Sequence, residues 1–160
     1  MFSRNSSSGR GRSRLAIGSL VVLGALAIGA LAPSAFGVSS RSSVATLATI
    51  KTNWTTFFNG KTPAAKKETL LQNGKEFAAF LVAQAKTAQA RSTTVKVSKV
   101  KLTSKTTAKV TYTIYLGGVP VERNATGTAL VQYKVWKVSD ASFCALVSLE
   151  GSAPKACSKF

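Results

Sequence analysis

Two cysteines near the end of the chain are the residues best suited to covalent or metal chemistry. Cys144 and Cys157 flank a short apolar run, and the chain contains no other cysteine and no histidine. Two cysteines can form a redox-active Cys-x-x-Cys motif, part of a zinc site or a structural disulfide. Their separation is too long for the redox motif, and no histidine is present to complete a zinc site. The sequence therefore favours a structural disulfide, and it predicts no metal and no cofactor.

The N-terminal residues predict a compartment in which such a disulfide would form. Four arginines and no acid precede an uncharged apolar stretch at residues 15–32, followed by small residues up to Gly37. This order is typical of a secretory signal peptide, which we predict at residues 1–37. A retained membrane anchor is the alternative, because a helix rising about 1.5 Å per residue over this stretch almost spans a bilayer core. In both cases the rest of the chain lies outside the cytoplasm, where cysteines are expected to pair.

The acidic residues do not predict catalysis. They fall in different predicted elements, and the glycine motifs of nucleotide-binding proteins and the Gly-x-Ser-x-Gly motif of hydrolases are missing. The lack of histidine also removes the commonest general base. We therefore expect a protein that is not an enzyme, with Glu68 and Glu76 on the solvated surface rather than in an acid/base pair, and a helix-capping role for Asp140.

Positive charge predicts the kind of partner. The chain has 22 Lys+Arg against 5 Asp+Glu, and residues 1–41 hold five of the arginines and no acid, which leaves a net charge of +12 for the remainder. Such a surface attracts polyanions, so we expect anionic cell-envelope polymer or lipid headgroups as partners. The most patterned cations form a lysine ridge, defined as Lys96, Lys99, Lys101, Lys105 and Lys109.

The lysine ridge also has a simpler interpretation. It could be an ordinary solvated strand face whose lysines protect a sheet edge from pairing with another chain. Aromatic side chains that could stack on bases are not interleaved with these lysines, so the sequence argues against specific nucleic-acid binding.

Helical periodicity dominates the chain up to about residue 90. The predicted helices cover residues 42–59, 63–73 and 75–90, and Thr62 is expected to cap the second. Apolar residues recur in the first helix at steps of three and four, as expected for one buried stripe. That stripe comprises Val44, Leu47, Ile50, Trp54 and Phe57.

From Arg91 onward the apolar period changes from about four residues to two, which predicts strands. Val95 and Val97 are out of phase with Val100 and Leu102, so we predict a bulge at Ser98-Lys99 that returns them to one face.

The remaining predicted elements form a meander followed by a helix. A strand over residues 106–116 should turn back at Gly117-Gly118 into an edge segment that tolerates Pro120. A further phase change predicts a tight turn near residues 132–134. Ser139 or Asp140 should then cap a final helix whose buried stripe comprises Phe143, Leu146 and Val147.

A set of aromatic residues could line a ligand cavity or fill a hydrophobic core. The set comprises Trp54, Phe57, Phe58, Phe77, Phe80, Tyr112 and Trp136. Because Phe57 and Phe58 are adjacent on one helix, we expect that only one of them faces inward. The other would be exposed beside Trp54, as a possible partner or ligand contact.

Four blocks of sequence, taken together and in order, resemble a known family. They are WTTFFNGKTPAAKKETLLQNG, TTAKVTYTI, NATGTAL and VWKVSDASFCALVSLEGSAPKAC. The chain resembles, over about residues 45–157, the low-molecular-weight secreted antigens of mycobacteria and related actinobacteria. This resemblance implies an exported protein with a cystatin-like or nuclear-transport-factor-like α+β cone, in which a long helix packs into a curved sheet. It also implies a disulfide between Cys144 and Cys157, and it transfers no catalytic residue.

The expected organisation is a signal peptide at residues 1–37, a short linker at 38–44 and one α+β domain at 45–160. In that domain, N-terminal helices pack on a curved antiparallel sheet, and a short C-terminal helix follows. We expect an exported, non-catalytic binding module of the cell envelope or extracellular space. Two alternatives stay open: a carrier of a small apolar ligand inside the cone, and a membrane-tethered accessory protein that keeps its leader. The sequence does not predict an oligomeric state.

Overall fold

The computed structural model describes residues 37–151 and 153–160 of the chain, so the predicted signal peptide lies outside the described residues except for Gly37. The described elements run in the order helices, strands, helix, as predicted for an α+β fold. They are α1 (Gly37–Phe58), α2 (Ala64–Leu70), a 3-10 turn (Gly74–Phe77), α3 (Ala78–Gln84), α4 (Ala88–Ser92), β1 (Thr93–Leu102), β2 (Thr107–Leu116), β3 (Val119–Gln132), β4 (Val135–Val138), α5 (Asp140–Leu149) and a second 3-10 turn (Lys155–Lys159).

Helix α1 begins earlier than its buried stripe. It starts at Gly37, so residues 38–44, expected as a linker, form its first turns. Val44 was predicted to be buried, but its side chain is 65% exposed, and the neighbouring residues 41–45 are all exposed. The stripe is fully buried only from Ile50, because the first turns of the helix extend past the elements that cover its later turns.

The region predicted as two further helices is divided more finely. Helix α2 ends at Leu70, since Leu71 forms a parallel bridge to Val138 and Asn73 adopts a left-handed backbone with φ 47°. The predicted cap at Thr62 was wrong, because Pro63 precedes the first helical residue and no side chain caps it. The predicted helix 75–90 is interrupted before α4, where the Thr87 side chain accepts a hydrogen bond from the Ala90 amide. A Thr hydroxyl that caps a new helix in this way offers the backbone an alternative to continuing the old one.

The four strands form one curled antiparallel sheet in the order β1-β2-β3-β4. The pairing of β1 with β2 shifts register between Val97 and Lys99, which confirms the predicted bulge. Gly117 and Gly118 have φ values of 58° and 85°, and they connect β2 to β3 as the predicted hairpin turn. Positive φ at both central residues is the geometry that lets a two-residue turn follow the twist of its strands.

One edge of the sheet is only partly covered. Strand β4 pairs with residues 129–132 of β3, so the earlier part of β3 pairs with β2 alone. That uncovered segment contains Pro120, where the sequence predicted an edge. It also contains an irregularity of pairing near Asn124, whose φ is 54°.

The predicted tight turn before β4 is confirmed, and it is made from unusual residues. Tyr133 and Lys134 both adopt positive φ, at 53° and 64°. Tyrosine and lysine carry a Cβ that disfavours this region, whereas Asn-Gly is the preferred pair for such a turn.

We expect the double substitution Tyr133→Asn/Lys134→Gly to raise the free energy of unfolding by about 1–2 kcal/mol, because each residue held at positive φ costs about 1 kcal/mol or more. Urea unfolding monitored by tryptophan fluorescence would measure the change. The reverse arrangement, Tyr133→Gly/Lys134→Asn, serves as a control of the same composition and should gain less. A loss of stability in the Asn-Gly variant would contradict the expectation.

An aromatic core joins α1 to the sheet and to α5. Trp54 packs on Tyr112 of β2 with ring centroids 5.2 Å apart, and Phe58 stacks on the same tyrosine at 5.7 Å. Phe57 contacts Phe143 of α5 at 5.7 Å. Phe57 and Phe58 are therefore both buried, and the prediction that one would be exposed was wrong. The end of α1 lies between the sheet and α5, so adjacent residues each have an apolar surface to contact.

Strand β3 passes very close to this core at Gly127. A Cβ added at that glycine would lie 2.8 Å from Cη2 of Trp54 and 3.0 Å from Oγ of Ser142. Contacts below 3.0 Å are essentially never made by real Cβ atoms, so this position requires glycine for reasons of space.

The length and apolar content of the described helices decide whether any of them could cross a membrane. Within residues 37–151 and 153–160, none has both the length and the apolar content that a membrane span needs. The stretch proposed as a retained anchor, at residues 15–32, lies outside the described part of the chain.

Candidate functional site

A cavity of about 440 Å³ opens beside the aromatic core. Its walls come from the end of α1, from α2, α3 and α4, from the β2–β3 hairpin and from α5. The apolar lining residues are Phe57, Phe58, Phe80, Leu81, Ala83, Ala90, Ile114, Leu116, Val121, Phe143, Leu146 and Val147. Polar side chains of Gln84, Thr87, Gln89 and Thr93 complete the wall near α4. A cavity of this size lies in the lower part of the range for small-molecule sites.

The structure separates the seven aromatic residues that were predicted to line a cavity or fill a core. Phe57, Phe58 and Phe80 line the cavity. Trp54, Phe77 and Tyr112 are buried in the packed interior, and Trp136 is half-buried on β4 without reaching the cavity. The space between the helices and the curled sheet is therefore filled at its centre and open at one side, and each of the two interpretations applies to part of the set.

Sequence reasoning missed the contribution of α5 to the cavity wall. Phe143, Leu146 and Val147 were predicted as the apolar stripe of this helix, but only the structure shows that the stripe borders an opening beside the ring contacts of Phe143 with α1 and α3. The sequence therefore predicted that these side chains are buried, but it did not predict that they line a cavity.

Two charged residues line the cavity in the described part of the chain, Lys67 and Glu150. Lys67 is only 8% exposed, and burial lowers its pKa. Its position on α2 explains this burial, because it lies three residues from Ala64 and from Leu70, both of which pack on the core. Glu150 at the end of α5 is more exposed, although partial burial raises its pKa.

The predicted disulfide is present and supports one wall of the cavity. Cys144 in α5 is bonded to Cys157, with a Cα–Cα distance of 5.4 Å. The bond ties the second 3-10 turn to α5 on the face that also carries Phe143 and Val147. It therefore fixes the C-terminal segment to the helix that closes the cavity.

The lysine ridge lies on the outer face of the sheet. All five lysines are exposed, and Lys101 of β1 lies directly opposite Lys109 of β2. Lys99 and Lys96 lie opposite Thr111 and Thr113, so the first hairpin presents lysine and threonine to solvent. Lys96 is five residues from Lys101, or roughly 17 Å along the strand at 3.3 Å per residue. The ridge is thus an extended line of charge with one close pair.

A family model described as the C-terminal domain of low molecular weight antigen MTB12 matches residues 43–154 of the chain. This chain belongs to the MTB12 antigen family. The match spans well over half of the chain, and it covers the cavity, the lysine ridge and Cys144. The resemblance found in the sequence is confirmed. A search of curated proteins and a search of solved structures each found no match to the chain.

The MTB12-family domain also contains a buried polar network at the start of α5. Ser139 caps the helix by accepting a hydrogen bond from the Ser142 amide, which resolves the two predicted caps in its favour. Asp140 is fully buried and accepts a hydrogen bond from Nδ2 of Asn73 at 2.7 Å. The Asn73 side chain in turn accepts a hydrogen bond from Gln132 Nε2 at 2.9 Å. The network therefore joins the loop after α2 to the β3–β4 turn and to α5.

One oxygen of Asp140, Oδ1, is buried without a hydrogen-bond partner. Burial, together with the nearby charge of Glu76, raises the pKa of Asp140 to about 6, while the Asn73 hydrogen bond and Lys137 act in the opposite direction. An ordinary aspartate titrates near 3.9. The folded domain thus binds the proton of Asp140 more tightly than the unfolded chain does.

We expect Asp140 to destabilise the fold as the pH rises. Its contribution is fully favourable below about pH 4 and is lost as the pH passes through about 6, since only the folded state holds the proton in that window. At about 1.4 kcal/mol per pKa unit, the loss amounts to between about 2 and 3 kcal/mol. Urea unfolding of the wild type and Asp140→Asn at pH 4 and pH 7.5 would show the variant gaining relative stability by this amount at the higher pH. Equal differences at both pH values would contradict the expectation.

Proposed function

We propose that this MTB12-family domain is an exported, non-catalytic binding module that takes a small, mainly apolar ligand into the cavity beside its core. The observation that carries the proposal is the 440 Å³ opening lined by apolar side chains from six elements. The other lining residues are polar or charged, and a mainly apolar wall with a smaller number of polar groups is the usual form of a small-molecule site. No catalytic role is assigned to any residue of the cavity.

The energetics of the cavity support a ligand. The free energy of binding becomes more favourable by roughly 25 cal/mol for each Å² of apolar cavity surface that a ligand covers. The phenyl rings of Phe57, Phe58 and Phe80 are already held in place by the ring contacts of the core, so a ligand does not have to order them. A pre-formed site loses less conformational freedom on binding.

Export is the second part of the proposal. It is supported by the basic and then apolar order of residues 1–37 and by the Cys144–Cys157 disulfide, which is a bond of oxidising compartments. Membership of a family named for an antigen agrees with a location where immune systems meet the protein.

A fluorescent apolar probe would test the cavity, and N-phenyl-1-naphthylamine is suitable because it is neutral and emits strongly in apolar sites. We expect saturable binding to the wild type and at least tenfold weaker binding to Leu146→Trp, which fills the cavity from α5. Ser148→Trp is the matched control, because it adds the same ring at an exposed position of the same helix outside the cavity lining. Equal binding by the two variants, or none by the wild type, would overturn the proposal.

The protein from its producer's own culture supernatant offers a direct complement. Native mass spectrometry should show extra mass that leaves on denaturation, together with a mass two daltons short for the disulfide and a chain starting near Val38. A ligand-free mass at every concentration would count against the carrier role.

Binding of anionic polymer to the lysine ridge is a second candidate function. Lys101 and Lys109 face each other across the hairpin, and like charges directly opposite in a sheet are destabilising. Two adjacent cations lower the stability of the free protein, but an anion that binds between them removes their repulsion and is held by both charges. The ridge would bind a polyanion through its charge, without reading sequence.

We expect Lys101→Gln/Lys109→Gln to elute from a heparin column at lower salt than the wild type, and to gain a few tenths of a kcal/mol in stability because the repulsion is removed. The matched control is Lys61→Gln/Lys86→Gln, which removes the same charge from exposed positions outside the ridge. Both variants should elute together if only net charge matters, and that result would exclude a dedicated ridge.

A further inference from the structure

Lys67 is the feature of the cavity that an apolar ligand does not explain. It lies on α2 with its side chain 8% exposed, and it lines the same space as the phenyl rings of Phe57 and Phe80. Its sequence neighbour Lys66 is exposed, so α2 places one of two adjacent lysines in solvent and the other in the cavity. A purely apolar site would be served better by leucine or methionine at this position.

The stem of Lys67 is buried, whereas its ammonium group reaches solvent, because the buried side-chain atoms without a hydrogen bond in the described residues are Trp54 Nε1 and Asp140 Oδ1. Within the described part of the chain it makes no hydrogen bond and no ion pair, and the ion pair that is formed joins Lys159 to Glu76 on the surface. Partial burial lowers the pKa of Lys67. A lysine with a buried stem and a hydrated, unpaired ammonium group leaves its charge free to bind an anion.

The other charged residue of the cavity does not neutralise Lys67. Glu150 lies at the end of α5, and its carboxylate is more than the 4.0 Å ion-pair distance from the ammonium group. Glu150 is exposed and Lys67 is 8% exposed, and the two charges line the same cavity without pairing. An acidic group entering the cavity would be repelled by Glu150 and attracted to Lys67.

We propose that the ligand of this cavity is an anionic amphiphile, an apolar chain ending in an acid group, and that the ammonium of Lys67 binds that group. The inference rests on the proposed function, because it names the class of ligand for the same cavity. A carboxylate next to the ammonium would form a charge-assisted hydrogen bond, which is about twice as strong as a neutral one. The aromatic and aliphatic wall would cover the chain. The ligand thus supplies the counter-ion that the fold omits.

Competition against N-phenyl-1-naphthylamine with three compounds of equal chain length would test this inference. The compounds are octanoate, 1-octanol and octylammonium, which differ only in the charge of the end group. For the wild type we expect octanoate to displace the probe at a concentration at least tenfold below that of octanol, and octylammonium to be the weakest.

Variants at the two charged positions should move this preference in opposite directions. Lys67→Met should bind octanoate at least tenfold more weakly and octanol more tightly, because an apolar side chain replaces the ammonium. Glu150→Gln should bind octanoate a few-fold more tightly, since the like charge is gone. Lys67→Gln gives a second, polar replacement with the same expected loss for octanoate. Thermal unfolding of Lys67→Met at or above the wild-type midpoint would show that the loss does not come from misfolding.

The possible results separate the inference from the proposed function. If none of the three compounds displaces the probe and the probe itself does not bind, the proposed function fails. Octanoate and octanol could instead displace the probe equally, with both affinities unchanged in Lys67→Met and Lys67→Gln. That result would show that the cavity binds apolar molecules and that Lys67 does not contact the ligand. A preference for octylammonium would overturn the assignment of charge and make Glu150 the contact residue.

Discussion

Replacing Trp54 by alanine is expected to lower the free energy of unfolding by about 4 kcal/mol, close to the largest loss that a core substitution produces. Trp54 is 1% exposed and contacts Phe58, Tyr112 and Gly127, so its removal leaves a void between α1 and two strands. Urea unfolding followed by circular dichroism measures the loss without depending on tryptophan emission. The control is Trp136→Ala, a half-buried tryptophan on β4 that should lose less than half as much.

The close contact between Gly127 and Trp54 predicts that substitutions at these two positions are energetically coupled. Adding a methyl group at Gly127 should cost about 1–3 kcal/mol, the usual range for overpacking, because its Cβ would lie 2.8 Å from Cη2 of Trp54. Phenylalanine at position 54 lacks that part of the ring. Gly127→Ala should therefore cost clearly less in a Trp54→Phe background than in the wild type. Equal costs in both backgrounds would show that the two residues are not coupled.

Removing the disulfide is the second large change. The substitution Cys144→Ser/Cys157→Ser should lower the free energy of unfolding by about 3 kcal/mol, because a link across 13 residues restricts the unfolded chain. The thermal midpoint should fall by roughly 10 °C for a domain of this size. Unfolding of the wild type in reducing buffer provides the matched comparison, since it removes the same bond without changing the side chains. A variant within 1 kcal/mol of the wild type would contradict the expectation.

The same variant should also lose ligand binding before it loses its fold. Phe143, Leu146 and Val147 form a wall of the cavity, and the disulfide joins their helix to the chain end. Loosening α5 widens the space between these residues and Phe57 of α1. We expect the N-phenyl-1-naphthylamine affinity to fall in the double variant under conditions where its circular dichroism is still native.

The parts of the fold that were predicted from sequence depend on local signals. The bulge after Val97 follows from a change of phase within one strand, and the Gly117-Gly118 hairpin follows from turn chemistry that is confined to two residues. The turn at Tyr133-Lys134 was also located by phase, although its residues are poor turn formers. The disulfide required only two cysteines and an oxidising compartment.

The features that were missed depend on which elements meet in space. Phe57 and Phe58 are both buried because α1 ends between the sheet and α5, and no periodicity within the helix reports a second neighbour. Val44 has the right spacing for the buried stripe, but nothing covers the helix at that point. The sequence pattern does not single out Lys67, whereas its register with Ala64 and Leu70 carries its stem inward. The aromatic set contained three residues of the candidate site, and the gap between α1, α3 and α5 depends on packing distances that a sequence pattern does not encode.

The uncovered segment of β3 has a consequence for how the protein behaves at high concentration. A long, regular and exposed edge would act as a template on which a second copy adds a strand, the first step toward fibrils. Here Pro120 removes an amide donor, and the left-handed Asn124 interrupts the ladder a few residues later. The edge therefore offers an incoming strand only short runs of backbone groups. These two residues thus protect the domain from polymerisation, and that protection would matter most for the exported protein proposed above, since no chaperone driven by ATP dissolves aggregates outside the cell.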